Sequence, residues 1–358
     1  MTRPLSELTS MRVGGDALEL IEPTDVSALI EAARAVWAGG DEWLVLGGGS
    51  NVVVSDEGFD GTVIRVATSG IEELGDGRLR VAAGENWDAL VAFTVERGLA
   101  GIEALSGIPG SVGAAPVQNI GAYGQELSDV LVSVDFLDAE SGDFERMPAA
   151  DLALGYRTSA IKQGRAGIVV AVELALNAGE STTVRYAQLA AALGVAVGES
   201  AAVADVRSAV LGLRASKGMV LDDSDPDSVS CGSFFTNPIV SREFAVGLPA
   251  DAPRFAMSPE TADVAVALGE EPAAPPVLAD ARVKLSAAWL IERAGIAKGF
   301  RLPGSRAAIS SKHTLAITNT GGATAAQVVE LARFVQLRVF AEFGVQLAPE
   351  PNLVGVFL

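Results

Sequence analysis

Apolar positions with helical spacing alternate with short apolar runs through the first half of the chain. Apolar side chains recur every three or four positions between residues 26 and 37, and Thr24 or Asp25 can cap this helix. Asn86 can cap a second helix. Strands are predicted at Trp43–Leu46, Val52–Val54, Thr62–Ala67, Leu79–Ala83, 130–137 and 168–176. Taken alone, this alternation predicts a doubly wound sheet.

The C-terminal part of the chain has fewer regular patterns. Helices are predicted at Ser286–Ala294 and Thr324–Phe343, and Gly344 can cap the end of the second. The remaining predictions are an acidic loop at Asp222–Asp227, loops with short helices at 249–280 and a final strand at Leu353–Phe357.

The composition limits the classes of function. A chain of 358 residues, 49% of them hydrophobic, predicts two or three domains with sizeable cores. A net charge of −19 argues against nucleic-acid binding, which needs a basic surface. The richest apolar run, Ala166–Ala178, contains Glu173 and is too short to cross a bilayer, and residues 1–20 lack a signal-peptide pattern. We therefore expect a cytoplasmic protein without membrane insertion.

The chain has one cysteine and one histidine, Cys231 and His313. These counts exclude an intrachain disulfide and a zinc site built from Cys and His ligands, and we expect no metal. A Ser-His-Asp hydrolase would have to use His313, but no G-x-S-x-G elbow accompanies it. Cys231 has no adjacent His or Lys that would activate its thiol, so we expect it to be a small core residue.

Two glycine-rich segments are the strongest indication of a ligand. Gly47–Asn51 reads GGGSN and follows a predicted strand, but Val52 breaks the G-x-G-x-x-G dinucleotide pattern. Gly107–Gly124 reads GIPGSVGAAPVQNIGAYG and fits neither an amphipathic helix nor an alternating strand. A flexible linker is the alternative, yet linkers are polar and this segment carries apolar side chains. Bare backbone N–H groups bind phosphates, so the two segments together favour a pyrophosphate site, with FAD as the natural ligand.

Three further segments carry candidate chemistry. Ser233 stands in SCGSFFTNP and is a candidate proton donor in a shielded pocket, although a buried strand with an outward serine is equally consistent. Arg157 follows Tyr156 and can clamp a carboxylate, while a surface arginine is the commoner case. Glu350 lies between Pro349 and Pro351, which hold it in extended geometry or simply form a rigid tail.

In this order, these segments resemble the UDP-N-acetylenolpyruvoylglucosamine reductase family of peptidoglycan synthesis, over nearly the whole chain. The matching segments are RVGG at 12–15, LGGGSN at 46–51, AGENW at 83–87, IPG at 108–110, QNIGAYG at 118–124, GYR at 155–157, GSFF at 232–235 and PEP at 349–351. The resemblance implies an α+β fold with a two-part FAD-binding unit of the vanillyl-alcohol-oxidase (PCMH) type and an α+β substrate-binding domain. The implied boundaries are 1–67 and 68–206 for the FAD subdomains, 207–345 for the substrate domain, and a C-terminal strand in 346–358 that returns to the first subdomain.

The same resemblance implies NADPH-dependent reduction of UDP-N-acetylglucosamine enolpyruvate to UDP-N-acetylmuramate through FAD, by a cytoplasmic monomer. In that reaction hydride reaches the terminal alkene carbon from the flavin. Ser233 would protonate the adjacent carbon, and Arg157 and Glu350 would stabilise the charged carboxylate intermediate. An ionised Glu350 would repel that charge, so we expect the pKa of Glu350 to be raised.

The resemblance also implies the residues that bind the two ligands. Tyr186, in a loop that closes over the substrate, together with Lys217 and Asn237, would contact the sugar nucleotide. The family often has a basic residue two positions after the glutamate, where this chain has Asn352. The implied cofactor-binding residues are Gly47, Gly48, Gly49, Ser50, Asn51, Gly107, Ile108, Pro109, Gly110, Ser111, Gly113, Asn119, Ile120, Gly121, Tyr123 and Gly124.

Two other functions stay open. One is an FAD-dependent oxidase of the same superfold that acts on a small alcohol or hydroxy acid. Such an enzyme would share the FAD loops but has no reason to combine Ser233, Arg157 and Glu350. The other is a non-catalytic binder of nucleotides or sugar nucleotides, which would purify without flavin colour.

Overall fold

The computed structural model describes residues 3–256 and 282–358. The segment 257–280, most of the stretch predicted as loops with short helices, lies outside the described residues. In the described parts the α-helices are α1 (Val26–Gly39), α2 (Trp87–Glu96), α3 (Ala187–Leu193), α4 (Val203–Ala215), α5 (Arg242–Val246), α6 (Ala287–Arg293) and α7 (Ala325–Phe343). Short 3-10 helices occur at Leu5–Glu7, Glu103–Leu105, Val112–Gln118, Leu127–Asp129, Ala149–Leu152 and Pro226–Ser228.

The strands are short and fall into several small sheets. In chain order they are β1 (Ala17–Ile21), β2 (Trp43–Leu46), β3 (Val52–Val54), β4 (Phe59–Arg65), β5 (Ile71–Gly75), β6 (Arg78–Ala82), β7 (Leu99–Ala100), β8 (Gly121–Ala122), β9 (Gln125–Glu126), β10 (Leu131–Asp138), β11 (Phe144–Pro148), β12 (Gly167–Ala175), β13 (Asn177–Ala178), β14 (Ser230–Ser233), β15 (Ile239–Ser241), β16 (Arg254–Ala256), β17 (Arg282–Leu285), β18 (Ala307–Ile309), β19 (Ala316–Asn319) and β20 (Asn352–Val354).

The prediction of a doubly wound sheet is wrong. Parallel pairing in the described residues joins β1, β4 and β2 in one sheet and β20 with β3 in another. The largest sheet, β11-β10-β12-β6-β5, is antiparallel. Asp76 and Gly77 turn the chain between β5 and β6, with φ of 49° and 73°. A two-residue turn can connect antiparallel strands but is too short to connect parallel ones. The fold is therefore α+β, as the resemblance implied.

The helix caps follow the polar side chains that the sequence offers. Asp25, Asn86, Ser286 and Thr324 each accept a hydrogen bond from the backbone N–H three residues ahead, at the starts of α1, α2, α6 and α7. Gly344 ends α7 with φ of 67°. These caps confirm four predicted helix starts and one predicted helix end.

Two large apolar cores flank the centre of the molecule. The first core combines buried side chains of α1 and α2 with those of the five-stranded sheet, among them Trp87 of α2 and Phe136 of β10. In the second, α6 and α7 cover β14-β19-β18, with Val335 and Val339 of α7 fully buried. The indole Nε1 of Trp87 donates to the carbonyl of Leu105 at 3.1 Å, which places the following glycine-rich segment against the first core.

The predicted boundary between residues 206 and 207 falls inside a continuous helix. α4 runs across it, and Val206 and Val210 are buried with Leu189 of α3.

The last strand is shorter than predicted. β20 ends at Val354, and Gly355 turns away with φ of 67°. β20 pairs with β3 in parallel, Asn352 opposite Val52 and Val354 opposite Val54. This pairing carries Glu350, just before β20, back to the N-terminal part of the fold. None of the described helices is long and apolar enough to span a membrane.

Candidate functional site

A cavity of about 470 Å³ lies where the two cores and the N-terminal sheet meet. Its walls include the loop after β2, the glycine-rich segment, the turn that carries Arg157, the end of β14, Glu350 just before β20 and Asn352 at its start. Ser233, Arg157 and Glu350 all line it, although they come from three distant parts of the chain. The fold thus brings together the three residues expected to be catalytic.

The two glycine-rich segments touch each other on one wall of the cavity. A Cβ at Gly48 would lie 2.6 Å from the Cα of Gly110, and a Cβ at Gly47 would collide with the Ser111 hydroxyl. Backbone lies against backbone here, so side chains are excluded on packing grounds. Part of the second segment is helical, since Val112–Gln118 forms a 3-10 helix that the sequence pattern missed.

These segments present unpaired donors to the cavity. Among the described residues, no hydrogen bond uses the backbone N–H of Gly48, Gly49, Ser50, Gly110 or Ser111. The hydroxyl of Ser111 is buried and also has no partner there. Buried polar groups without partners are rare, and a cluster of N–H groups is suited to phosphate oxygens. The walls have the donors that a pyrophosphate requires.

Four of the expected cofactor residues do not line the cavity. The N–H of Gly107 donates to Asp88 Oδ1 at 2.6 Å, and Asp88 in turn pairs with Arg207 of α4. Asn119 is buried, and its amide binds Glu126 Oε2 at 3.0 Å and the carbonyl of Gly155 at 3.2 Å. Tyr123 and Gly124 lie further along, beside the segment that holds Tyr186. Their hydrogen bonds and packing hold the loop in place.

Arg157 is held in an unusual backbone conformation. Its φ is 55°, a region that residues with a side chain rarely adopt. Its Nη2 donates to the carbonyl of Gly121 at 2.7 Å and Nη1 to the carbonyl of Asn119 at 3.3 Å. Its Nε lies 3.1 Å from Oε1 of Glu350. The guanidinium is therefore oriented by three partners at the cavity wall.

Glu350 carries a largely buried carboxyl, and its main chain is hydrogen-bonded to the residue that follows β14. Its N–H donates to the carbonyl of Phe234 at 2.9 Å, directly after Ser233. Burial raises the pKa of Glu350 above its ordinary value, although the positive charges of Arg157 and Lys162 oppose this. The raised pKa of Glu350 agrees with the expectation, because the desolvation of its carboxyl outweighs the effect of both cations.

Ser233 closes β14 at the cavity wall. Phe234 and Phe235 after it are buried, and Gly232 before it turns the strand with φ of 78°. In the part of the chain that the structure describes, the Ser233 hydroxyl enters no hydrogen bond. It remains available to a ligand. Cys231 is buried two residues earlier, and burial together with the negative charge of Glu350 raises the pKa of its thiol, as expected of a core cysteine.

The three expected substrate residues lie outside the cavity wall. Tyr186 is 51% exposed and meets Tyr123 edge-on, with ring centroids 5.6 Å apart. Lys217 places Nζ 5.7 Å from the Tyr123 ring and donates to Gln188 Oε1 at 3.0 Å. Asn237 instead accepts from the N–H of Ala287 at 2.9 Å, at the start of α6. Tyr186 and Lys217 thus form one cluster, whereas the Asn237 side chain caps the start of α6.

Positive charge collects near this cluster in a strongly acidic chain. Burial lowers the pKa of His313 to about 4, and the positive charges of Lys217, Lys298 and Arg214 act in the same direction. Arg214 lines the cavity, and its buried Nε has no hydrogen-bond partner in the described residues. A local excess of cations of this kind suits an anionic ligand.

The acidic loop at Asp222–Asp227 uses its carboxylates internally. Asp227 accepts from the Ser310 hydroxyl at 2.7 Å and from the N–H of Ser311 at 2.7 Å, and Asp225 pairs with Lys312 at 2.8 Å. Asp223 pairs with Arg12. The described residues contain no group of three or more His, Cys, Asp or Glu that could hold a metal ion. The carboxylates of this loop therefore bind the segment 310–312 and Arg12.

Comparisons with known proteins decide the family. Residues 17–147 match the family model of the FAD binding domain, and residues 225–354 match that of the UDP-N-acetylenolpyruvoylglucosamine reductase C-terminal domain. A curated relative of that name from Leifsonia xyli subsp. xyli is 58% identical and covers 100% of both chains. The chain belongs to the UDP-N-acetylenolpyruvoylglucosamine reductase family.

Further members of the reductase family also match this chain over nearly its full length. A relative of the same name from Saccharopolyspora erythraea is 50% identical over 99% of this chain and 95% of its own. The solved reductase from Thermus caldophilus matches with a TM-score of 0.66 at 27% identity, over 99% of this chain and 98% of that chain. The α+β fold, the FAD-binding domain and the enzyme class implied by the sequence are confirmed.

As a member of this reductase family, the chain has residues that fit FAD. The unused N–H groups of the two glycine-rich segments and the unpartnered Ser111 hydroxyl lie on one wall, and apolar side chains such as Val45 and Ile108 lie beside them. A dinucleotide needs both, since its phosphates take the N–H donors and its rings need an apolar slot.

Sequence reasoning missed two polar residues at this site. Gln118 donates through Nε2 to Glu350 Oε1 at 3.5 Å, and Lys162 donates through Nζ to Gln118 Oε1 at 3.2 Å. Gln118 stands in the segment QNIGAYG that carried the resemblance, so its motif offered a signal. Lys162 follows Arg157 by five positions and had no distinguishing pattern of its own.

Proposed function

We propose that this chain reduces UDP-N-acetylglucosamine enolpyruvate to UDP-N-acetylmuramate with NADPH, through bound FAD. The observation that carries the proposal is the convergence of Ser233, Arg157 and Glu350 on the cavity that the glycine-rich segments also line. The shared name of the full-length relatives supports it. An oxidase of a small alcohol would need the flavin site but not these three residues together.

The proposed cofactor site consists of the two glycine-rich segments. The N–H groups of Gly48, Gly49, Ser50, Gly110 and Ser111 would hold the pyrophosphate, and Ile108 would pack against the ring system. FAD, when bound, supplies a carrier that accepts a hydride from NADPH and delivers it to the substrate.

The proposed role of Ser233 is that of proton donor. Delivery of hydride to the terminal alkene carbon leaves negative charge on the adjacent carbon, and the Ser233 hydroxyl would place its proton there. The product gains one hydride and one proton, and the Ser233 alkoxide takes a proton from solvent afterwards, so the reduction balances. Since a serine hydroxyl is a weak acid, the transfer needs a dry site in which the accumulating negative charge is already stabilised.

The proposed role of Arg157 and Glu350 is to stabilise that charge on the substrate carboxylate. Arg157 is already fixed by the carbonyls of Asn119 and Gly121, so its guanidinium needs no reorganisation during the reaction. The raised pKa of Glu350 favours its protonated form, which donates a hydrogen bond instead of repelling the substrate.

The proposed nucleotide end of the substrate site is the cluster of Tyr186 and Lys217, and the resemblance implies Asn237 as a further contact. Lys217 and the nearby positive charge of Arg214 suit a diphosphate, and the exposed ring of Tyr186 can cover it. We also propose, from the resemblance, a cytoplasmic monomer and the division into two FAD subdomains and a substrate domain, with the second boundary moved beyond α4.

Anaerobic half-reactions test the proposal. The purified protein should carry one FAD, NADPH should bleach the flavin absorbance, and the enolpyruvyl sugar nucleotide should restore it within the turnover time. A small alcohol or hydroxy acid that bleaches the flavin would identify an oxidase instead. A colourless protein that binds no added FAD would overturn both enzyme functions and leave a sugar-nucleotide binder.

A further inference from the structure

Lys162 places its ammonium group at the main chain of Glu350. Its Nζ lies 3.3 Å from the carbonyl oxygen of Glu350 and 3.2 Å from Oε1 of Gln118. Both contacts are of hydrogen-bond length, although they are at the long end. The side chain is half-buried and lines the cavity.

The main chain of Lys162 is fixed to the same glycine-rich segment. Its N–H donates to the hydroxyl of Ser159 at 3.1 Å, and that hydroxyl donates to the carbonyl of Val117 at 2.6 Å. Ser159 is fully buried. The ammonium therefore extends from an anchored backbone and does not belong to a mobile surface lysine.

Gln118 and Asn51 also form hydrogen bonds to Glu350 and to each other. Gln118 Nε2 donates to Glu350 Oε1 at 3.5 Å, while Asn51 Nδ2 donates to Gln118 Oε1 at 2.7 Å and to the Glu350 carbonyl at 3.3 Å. Asn51 comes from the first glycine-rich segment and Gln118 from the second. The carboxyl of Glu350 is thus positioned from the same loops that flank the cavity.

Few charged or titratable groups of the described residues interact with Glu350. Arg157 and Lys162 are the cations that face Glu350, and Tyr156 and Cys231 are the other titratable groups that its charge affects. Burial lowers the pKa of Lys162, Glu350 raises it, and Arg157 lowers it. One carboxyl therefore stands between two cations, one at its side chain and one at its main chain.

We propose that Lys162 is a positioning residue for Glu350, whose ammonium holds the Glu350 main chain and supplies a second positive charge beside that of Arg157. The inference rests on the proposed function for its kinetic consequence. A cation near a carboxyl favours the ionised form, so removal of Lys162 should move the titration of Glu350 to higher pH. Loss of the two hydrogen bonds should also loosen the carboxyl relative to Arg157.

Lys162→Met and Lys162→Arg test charge and hydrogen bonding separately from shape. Lys162→Met should keep its FAD and its reduction by NADPH, while reoxidation by the enolpyruvyl sugar nucleotide slows roughly tenfold to a hundredfold, the scale of a misplaced catalytic group. The alkaline fall in reoxidation rate should move to higher pH in Lys162→Met and stay near the wild-type position in Lys162→Arg. Lys162→Gln replaces Lys162→Met if the latter does not retain flavin.

A titration that needs no turnover tests the same coupling. The side-chain carboxyl carbon of Glu350, labelled with 13C and assigned as the signal missing from Glu350→Gln, should titrate at higher pH in Lys162→Met than in wild type. Lys312→Met, which removes a lysine paired with Asp225 far along the fold, should leave it unchanged.

Unchanged reoxidation and an unchanged Glu350 titration in Lys162→Met would overturn the proposal. A wild-type protein that the enolpyruvyl sugar nucleotide does not reoxidise would overturn the proposed function alone, because the carboxyl titration would still decide whether Lys162 acts on Glu350.

Discussion

The Nε of Arg157 lies 3.1 Å from Oε1 of Glu350, although the two residues are far apart in the chain, one near its middle and one near its C-terminus. Arg157 reaches this position from a turn with φ of 55°, and Glu350 reaches it because β20 returns to pair with β3. The residues next to Arg157 and next to Glu350 in sequence do not indicate that these two side chains are in contact. The pair matters for function because it combines a fixed guanidinium with a carboxyl that burial favours in its neutral form.

The pH dependence of the second half-reaction should report Glu350. Because the pKa of Glu350 is raised, the protonated form persists above the ordinary range for glutamate. Reoxidation should be constant at low pH and fall as the pH rises through the raised pKa. Glu350→Gln should lose this fall, since the amide cannot ionise, and should reoxidise more slowly at low pH. A fall centred at the ordinary glutamate pKa in wild type would contradict the raised value.

Ser233→Ala should separate the two half-reactions. Reduction of the flavin by NADPH should stay close to wild type, while reoxidation should slow by roughly 10²–10⁴-fold, the usual cost of removing a general acid. Rapid-mixing absorbance measurements of each half-reaction check this. Cys231→Ala is the matched control two residues earlier, and it should retain both rates because its buried thiol has a raised pKa and no catalytic role. An equal loss in both half-reactions of Ser233→Ala would indicate a structural serine.

The candidate site was predictable where the residue types themselves limit the chemistry. Gly48 and Gly110 lie in backbone contact, which the clustering of glycines indicated, and Ser233 stands at the end of a short strand next to two buried phenylalanines. The contacts of Lys162 were not predictable, because they depend on where Glu350 arrives after the whole chain has folded. For the same reason Gly107 and Asn119 could not be recognised as residues that hold the loop instead of lining the cavity.

The fold was predictable element by element but not in its connections. Polar caps and apolar spacing indicated α1, α2, α6 and α7 correctly. The same spacing does not show whether successive strands are parallel or are antiparallel and joined by a tight turn. The turn at Asp76 and Gly77 distinguishes the two arrangements, since it makes β5 and β6 antiparallel, whereas the alternation of helices and strands alone predicts a parallel sheet.

Gly48→Ala should abolish FAD retention. A Cβ at this position would lie 2.6 Å from the Cα of Gly110, so the two glycine-rich segments would have to separate. Flavin absorbance per protein after desalting measures the loss. Gly212→Ala in α4 is the matched control, because its Cβ would meet no atom within 4 Å. That variant should keep FAD and gain about 0.5–1 kcal/mol in unfolding free energy, the usual effect of Ala for Gly inside a helix.

His313 should titrate far below neutral pH. Burial and the positive charges of Lys217, Lys298 and Arg214 lower its pKa to about 4. A histidine that the fold keeps neutral contributes stability above its unfolded pKa of about 6.5, and this stability is lost as the pH falls from there toward 4. The chain has one histidine, so its imidazole proton NMR signals are unambiguous. Urea unfolding of His313→Gln should show a shallower loss of stability between pH 6.5 and 4 than wild type, whereas a midpoint near 6.5 in the folded protein would contradict the cationic surroundings.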